Sequence, residues 1–244
     1  MDRSGGRMKA TWSHSRLATG FALTVWTWTL WFLVATDRTA FYFSSRTTWL
    51  APVGAITLTV TMIGRFLSAK AARPEPITLQ QLANLTVLIT PALLITAFPP
   101  EALGSFAVSR RSTAVTGTYV SVSERDLSTG DLSLLDIHGL SFTDELNKLV
   151  PRAGSQSSFT GFVTREPNDG ASGFRLNRFV ISCCPGDAIN IQLRIVGAPP
   201  GKLKSDDWVR VTGNIYPIGK ELIVDATEVR LVKRPDHPYL NSSR

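Results

Sequence analysis

The chain has 244 residues, of which 18% are charged and 43% hydrophobic, and its 26 Lys and Arg against 19 Asp and Glu give a formal net charge of +7. Soluble domains carry about 25% charged residues, so this deficit favours a membrane protein and excludes a disordered or collagen-like chain. The only two cysteines, Cys183 and Cys184, are adjacent and cannot form a disulfide framework that joins distant segments.

The positive charge is concentrated in the first part of the chain. Residues 1–100 hold nine basic and three acidic side chains, whereas residues 101–244 hold 17 and 16 and are nearly neutral. Nucleic-acid binding requires a clustered basic face that contacts many phosphates. The second part has no such run, so the sequence predicts no nucleic-acid partner.

Three apolar stretches predict that residues 1–100 form a membrane domain in contact with the lipid bilayer. We place transmembrane helices at about residues 17–36, 47–66 and 80–98. At 1.5 Å per residue, about 20 residues cross a hydrocarbon core of about 30 Å. The alternatives are a cleaved signal peptide for the first stretch and a buried soluble helix for the second. Signal peptides have shorter apolar regions, of about 7–15 residues, which favours an uncleaved anchor.

The basic residues predict how the spans are oriented. With three spans, the N-terminus and the loop after the second span share one side of the membrane and hold seven Lys and Arg, against four on the other side. The positive-inside rule therefore predicts a cytoplasmic N-terminus and an extracytoplasmic C-terminal domain, in the inner or plasma membrane. If the second span did not insert, the C-terminal domain would be cytoplasmic.

Residues 101–157 are predicted to form a connector with one short helix. Ser141 and Thr143 precede Asp144 and an apolar run, a pattern that predicts an N-capped helix to about Val150, ended by Pro151. A short strand is expected near residues 118–122. At the other end of the chain, residues 233–244 are polar and predict a flexible, solvated tail.

Residues 158–232 predict a small all-β domain. Five short runs of β-forming residues, separated by turn sequences, lie at residues 158–164, 174–182, 188–196, 208–215 and 221–229. Gly161 lies inside the first run, where a missing side chain permits a sharp bend. Five short strands fit a barrel of the oligonucleotide/oligosaccharide-binding (OB) type, with a small β-sandwich as the alternative. The predicted fold is therefore an α-helical transmembrane region followed by an OB-like barrel.

Phenylalanines in the predicted strands have two interpretations. Phe162, Phe174 and Phe179 could act as stacking platforms for nucleic-acid bases. Because the domain is almost neutral, packing in the barrel core is the better interpretation.

An ordered set of short motifs runs through the barrel region. Gly161-Phe162-Val163 is followed by Arg178, by Cys183-Cys184 with Asp187-Ala188, and by Trp208 with Val211-Thr212-Gly213. Together with a Leu-Gly-Ser segment after the paired prolines near residue 100, this order resembles the YcgQ-type bacterial membrane proteins, described as subunits of a two-component permease. The resemblance implies a multi-pass subunit that is partnered with a larger permease. It also implies a connection to metal homeostasis, especially that of zinc.

Cys183, Cys184 and Asp187 form the candidate metal site, with zinc as the candidate ion, because thiolates and carboxylates are good zinc ligands. Adjacent side chains on a regular strand point to opposite faces, so both thiols reach one ion only if the backbone turns at Cys184. A closed zinc site needs four ligands, and His138, Asp136 and Asp131 are the possible additions. One alternative is that one cysteine packs in the barrel and the other caps the turn. A redox pair is the other alternative.

Arg178 interrupts an apolar strand and is the supporting residue of the candidate site. It either faces solvent or pairs with Asp187 across the turn, which would hold the cysteines in shape.

No arrangement typical of catalysis is found in the sequence, which has no Gly-rich phosphate loop, nucleophile motif or H-E-x-x-H. We therefore predict that the protein is not an enzyme. Residues 17–36, 47–64 and 82–98 contain no Asp, Glu, Lys or Arg, which favours an accessory subunit of a permease over an autonomous transporter. A membrane-tethered thiol-redox protein and a structural interaction module are the alternatives.

Overall fold

The computed structural model describes residues 11–71, 77–98, 101–110, 132–167, 169–170, 172–198, 203–219 and 221–241. The predicted strand near residues 118–122 lies outside these ranges. The chain divides into two compact units, of which the first comprises Met1–Thr39 and Thr47–Glu101. The second comprises Ala40–Arg46 and Ala102–Arg244. The chain thus contributes to the second unit at two separate places.

Three long helices make up the first unit: α1 (His14–Ala35), α2 (Leu50–Leu67) and α3 (Leu79–Ala97). All three are long and apolar enough to cross a membrane, and their bounds lie within three residues of the predicted spans. α3 begins where it does because Thr78 and Gln81 form a capping box that satisfies free backbone amides. The prediction of three apolar helices is confirmed.

In the first unit, α1 contacts both of the other helices. The Trp31 indole donates a hydrogen bond to the Thr59 hydroxyl of α2 (3.2 Å), and the Trp26 indole donates to the Leu88 carbonyl of α3 (2.9 Å). Near the C-terminal end of α2, the Arg65 guanidinium donates to the Thr19 hydroxyl of α1 (2.8 Å). A pair of two-residue strands, β1 (Thr11–Trp12) and β2 (Lys70–Ala71), connects the chain near that end.

Five strands of the second unit form a closed barrel: β3 (Gln156–Thr164), β4 (Phe174–Ile181), β5 (Ile189–Val196), β6 (Trp208–Ile218) and β7 (Glu221–Leu231). The strand order is β3-β6-β7-β5-β4, and pairing of β3 with β4 completes the circle. β5 and β7 are parallel, whereas the other neighbours are antiparallel. The predicted five-stranded, OB-like barrel is confirmed.

Gly161 lies where β3 changes partners. Gln156–Phe162 pair with β6, and Phe162–Thr164 pair with β4 and thereby close the barrel. A Cβ atom at position 161 would lie 2.5 Å from the Asn177 carbonyl oxygen of β4. The close approach of two backbones therefore requires glycine, as the bend predicted there suggested.

A helical segment ahead of the barrel packs on its core. α5 (Leu134–Phe142) starts at a capping box formed by Ser133 and Asp136, and a 3₁₀ helix follows at Leu146–Arg152. Buried side chains of this segment join the core cluster of the strands, namely Leu134, Leu135, Ile137, Leu140, Leu146 and Leu149. The prediction of one helix from Ser141 to Val150 is therefore wrong. The stronger cap lies eight residues earlier, and Pro151 falls inside the 3₁₀ helix.

A second apolar cluster lies outside the main core. Phe162 and Phe179 stack with ring centroids 5.8 Å apart, and Ile181, Ala188 and Tyr239 join them. α4 (Ser105–Arg110) and the residues before it pack against this cluster. Phe174 is buried in the main core, so packing is the observed role of all three phenylalanines.

The flexible-tail prediction for residues 233–244 needs correction. Tyr239 is buried, and β8 (Leu240–Asn241) pairs in parallel with the end of β4. The polar composition predicted a solvated tail. However, β4 parts from β3 at this point, and the free edge of β4 accepts the additional strand.

Candidate functional site: the cysteine turn

Cys183 and Cys184 lie in the turn between β4 and β5, and residues 182–187 are called the cysteine turn below. β4 ends at Ile181, and Pro185–Asp187 form one turn of 3₁₀ helix before β5. Pro185 suits the first position of this turn because its φ is fixed and it needs no amide partner. The backbone therefore changes direction at Cys184. The sequence predicts that the two thiols can come together only if the backbone turns there.

The two thiols converge. Their sulfur atoms are 3.5 Å apart, with Cys183 exposed and Cys184 partly buried. Cys183 is therefore not the cysteine that packs in the barrel core in the packing alternative, and Cys184 is only partly enclosed. The two thiols thus lie side by side in the turn that follows β4, with Cys183 open to solvent.

Asp187 holds the cysteine turn in shape. One carboxylate oxygen accepts the Ser182 amide (3.1 Å), and the other accepts the Cys183 amide (2.7 Å). Partial burial acts to raise the pKa of Asp187, but these amide donors outweigh burial and lower it. Asp187 is therefore an ionised turn former at neutral pH, with both oxygens engaged by the backbone.

The same carboxylate acts on the neighbouring thiol. Its hydrogen bond with the Cys183 side chain, followed by the contact with Cys184, raises the pKa of Cys183 to about 11. A nearby anion disfavours formation of the thiolate because the two negative charges repel. Cys183 is accordingly a protonated thiol at neutral pH and a weaker nucleophile than an ordinary cysteine.

Arg178 does not pair with Asp187, which corrects the second of its two predicted roles. Its guanidinium donates to the backbone carbonyls of Thr160 (3.4 Å), His237 (3.2 Å) and Pro238 (3.3 Å). It also lies over the Trp208 ring, 5.7 Å from the centroid. Arg178 thus bridges the gap where β3 leaves β4, and burial lowers its pKa. It supports the C-terminal segment rather than the thiols.

The predicted additional ligands have other positions. Asp136 accepts hydrogen bonds from the amide and hydroxyl of Ser133 in the capping box of α5. His138 lies on the same helix, where burial lowers its pKa, and Asp131 lies outside the described residues. Within the described ranges, no three Cys, His, Asp or Glu side chains come together in a way that could hold a metal ion. The arrangement there does not fit a closed, four-ligand zinc centre.

Ser44 belongs to the site, although the sequence did not point to it. It lies in the connection between α1 and α2, Ala40–Arg46, which is part of the barrel unit. Its amide donates to the Cys183 carbonyl (3.1 Å), and its hydroxyl donates to the Ser182 carbonyl (2.7 Å). Ser44 is 138 positions from Ser182, and no local pattern could have revealed the contact.

Comparison with known proteins gives one family assignment. No curated protein and no solved structure matches the chain. Residues 115–241, which include the barrel and the cysteine turn, match the family model described as the DUF1980 C-terminal domain. This match covers more than half of the chain, which therefore belongs to the DUF1980 family.

Proposed function

We propose that the protein is a membrane-anchored accessory subunit of a larger permease, in which the barrel presents the Cys183–Cys184 dithiol. One observation carries this proposal: within the part of the chain that the structure describes, little of the apolar helix surface is covered. Only 11% of the residues in the apolar stretch of α2, and 6% of those in α3, are buried. Such surfaces require lipid or another membrane protein as a partner.

The charges of the helices also favour an accessory role. α3 contains no Asp, Glu, Lys or Arg, and the Arg of α1 and that of α2 lie near the helix ends. Those two side chains are hydrogen-bonded, Arg16 to the Ser68 carbonyl and Arg65 to the Thr19 hydroxyl. Transport pathways usually contain ionisable residues inside the membrane, so another subunit would supply the pathway.

Copurification tests the proposal. The full-length protein, with an affinity tag, is isolated from native membranes in mild detergent, and its partners are identified by mass spectrometry. We expect one larger multi-span membrane protein in a fixed ratio. Val60→Trp on α2 and Val87→Trp on α3 alter two exposed sites, and the one that reduces recovery locates the interface. Isolation of the chain alone from native membranes would contradict the proposal.

The dithiol is proposed to bind a soft metal ion as cargo, not as a resident structural ion. Two converging thiols without a described third ligand suit an open, exchangeable site. Titration of the full-length protein with Zn²⁺ should show binding that Cys183→Ser removes and Ser158→Ala, an exposed change on β3, retains. Equal binding by the wild type and Cys183→Ser would exclude the dithiol as the site.

A thiol-redox role is the second candidate, because the two sulfur atoms already lie 3.5 Å apart. The raised pKa of Cys183 acts against both roles, since thiol exchange requires a thiolate and a bound metal ion must displace the thiol proton. Mass spectrometry of the native peptide that spans residues 178–187 would distinguish the two. A vicinal disulfide makes this peptide two hydrogen atoms lighter, and permanently free thiols would remove the redox role.

A further inference from the structure

The cysteine turn is fixed from two sides by residues that are far apart in the sequence. The Ser182–Cys183 peptide group donates its N–H to Asp187 and accepts the Ser44 hydroxyl at its carbonyl. The next peptide group, Cys183–Cys184, accepts the Ser44 amide. The backbone on both sides of the Cys183 Cα is therefore hydrogen-bonded, which restricts the direction of its side chain.

The α1–α2 connection has a second attachment to the same unit. The Arg234 guanidinium, from the segment after β7, lies over the Phe41 ring at 5.2 Å from its centroid. Ser44 itself is almost fully buried, with 1% of its surface exposed. The connection is thus packed into the barrel unit rather than attached by a single surface contact.

We propose that Ser44 is a positioning residue of the dithiol, so that the α1–α2 connection forms part of the site. Its two hydrogen bonds hold Cys183 in the conformation that brings its sulfur atom to that of Cys184. The site is then assembled from two parts of the chain that lie 138 positions apart. A fragment that begins after α3 lacks the α1–α2 connection and therefore lacks Ser44.

This assignment has a consequence for membrane topology. The α1–α2 connection and the barrel must lie on the same side of the membrane for Ser44 to reach Cys183. If α1 and α3 crossed the membrane and α2 did not, the connection and the barrel would lie on opposite sides. α2 therefore crosses the membrane if α3 does.

A trivalent arsenical tests the positioning role. Phenylarsine oxide bridges two neighbouring thiols: two S–H bonds are replaced by two As–S bonds, and the oxygen leaves as water. In the full-length protein, we expect Ser44→Ala to weaken this bridging about three- to tenfold, since one hydrogen bond of about 1 kcal/mol is lost. Ser44→Thr retains the hydroxyl and should restore it, and Ser158→Ala should match the wild type.

A comparison of two thiol reagents separates loss of thiol positioning from general unfolding. Maleimide labels single thiols and should react with the Ser44→Ala protein at least as fast as with the wild type, while arsenical bridging falls. Undiminished bridging in Ser44→Ala would overturn the proposal. Neither measurement involves the partner subunit, so its result is independent of the copurification experiment.

Cross-linking in native membranes tests the topology and does not depend on Ser44→Ala folding. Ser45→Cys in a Cys184→Ser background leaves one thiol on the connection and Cys183 on the turn. A short bismaleimide should join the two positions within one chain, which peptide mass spectrometry detects. If both thiols were labelled singly and no cross-link formed, the proposal that the connection and the barrel lie on the same side of the membrane would be overturned.

Discussion

Asp187 determines both the shape and the chemistry of the cysteine turn. Its carboxylate accepts two backbone amides, one of them from Cys183, and its hydrogen bond with the Cys183 thiol, supported by its negative charge, raises the pKa of that thiol to about 11. Both effects have one cause, the position of an anion beside a peptide group and its own side chain. The residue that was predicted as a ligand is therefore the residue that keeps the neighbouring thiol protonated.

Asp187→Asn tests this dual role. The change should lower the pKa of Cys183 from about 11 towards its ordinary value of about 8.5, because the neutral amide accepts a weaker hydrogen bond from the thiol and no longer repels the thiolate. The pH dependence of iodoacetamide alkylation at Cys183, followed by mass spectrometry, measures the change. Asp236→Asn, an exposed change in the C-terminal segment, should leave the midpoint in place. An unchanged midpoint in Asp187→Asn would show that the charge is not the cause.

Arg178→Lys should detach the C-terminal segment from the barrel. Lysine keeps the charge but has a single nitrogen, so it cannot span the three carbonyls or stack on Trp208 as the planar guanidinium does. We expect a loss of about 2–3 kcal/mol and faster hydrogen exchange at Leu240 and Asn241. Arg230→Lys is the control, because Arg230 is exposed and forms a surface ion pair with Glu228, so its effect should stay below about 0.5 kcal/mol.

Among the secondary-structure elements, strands were easier to locate than the helical connector. Alternation of apolar and polar residues and the intervening turns placed all five barrel strands within about three residues. α5 is only nine residues long, and its apolar residues do not alternate with polar ones at a helical period. Its position depends on the capping box and on burial against β5, which local sequence does not display.

Ser133→Ala tests whether the capping box holds α5 on the barrel. The change removes the hydroxyl that accepts the Asp136 amide and leaves the buried Asp136 carboxylate with one donor fewer. We expect a loss of about 1–2 kcal/mol in the stability of the α5 amides, measured by hydrogen exchange of the full-length protein. Ser141→Ala, an exposed change on the same helix, should alter stability by less than about 0.5 kcal/mol. Equal effects of the two changes would contradict the capping role.

Gly161→Ala tests the closure of the barrel. The added methyl group would lie 2.5 Å from the Asn177 carbonyl oxygen, so β3 and β4 would have to separate. We expect the barrel to lose about 2 kcal/mol or more, with the earliest exchange at the β3–β4 pairs. Gly186→Ala is the matched control because its nearest contact, the Cys184 sulfur, would be at 3.5 Å. A fully stable Gly161→Ala protein would contradict the need for glycine at this crossing.

At the scale of the whole molecule, the distribution of charge predicts which side of the membrane holds the barrel. The excess of basic residues lies at the N-terminus and in the α2–α3 loop, so the barrel is expected outside the cytoplasm. A C-terminal alkaline phosphatase fusion should be active, and a green fluorescent protein fusion at the same point should be dark. Replacement of Arg3, Arg7 and Lys9 by Gln should weaken this preference. A bright fluorescent fusion on the unaltered chain would contradict the predicted orientation.

By itself, the amino-acid sequence determined the three apolar helices, the five strands, the closed barrel and the turn that carries Cys183 and Cys184. Helix length, strand alternation and turn chemistry are properties of neighbouring residues, so a single sequence displays them. Only the tertiary structure decided that the two sulfur atoms meet and that Arg178 serves the C-terminal segment. It also showed that Ser44 reaches the cysteine turn. Ser44 and Arg178 both donate to backbone carbonyls of segments up to 138 positions away, and hydrogen bonds between such distant segments are not displayed by neighbouring residues.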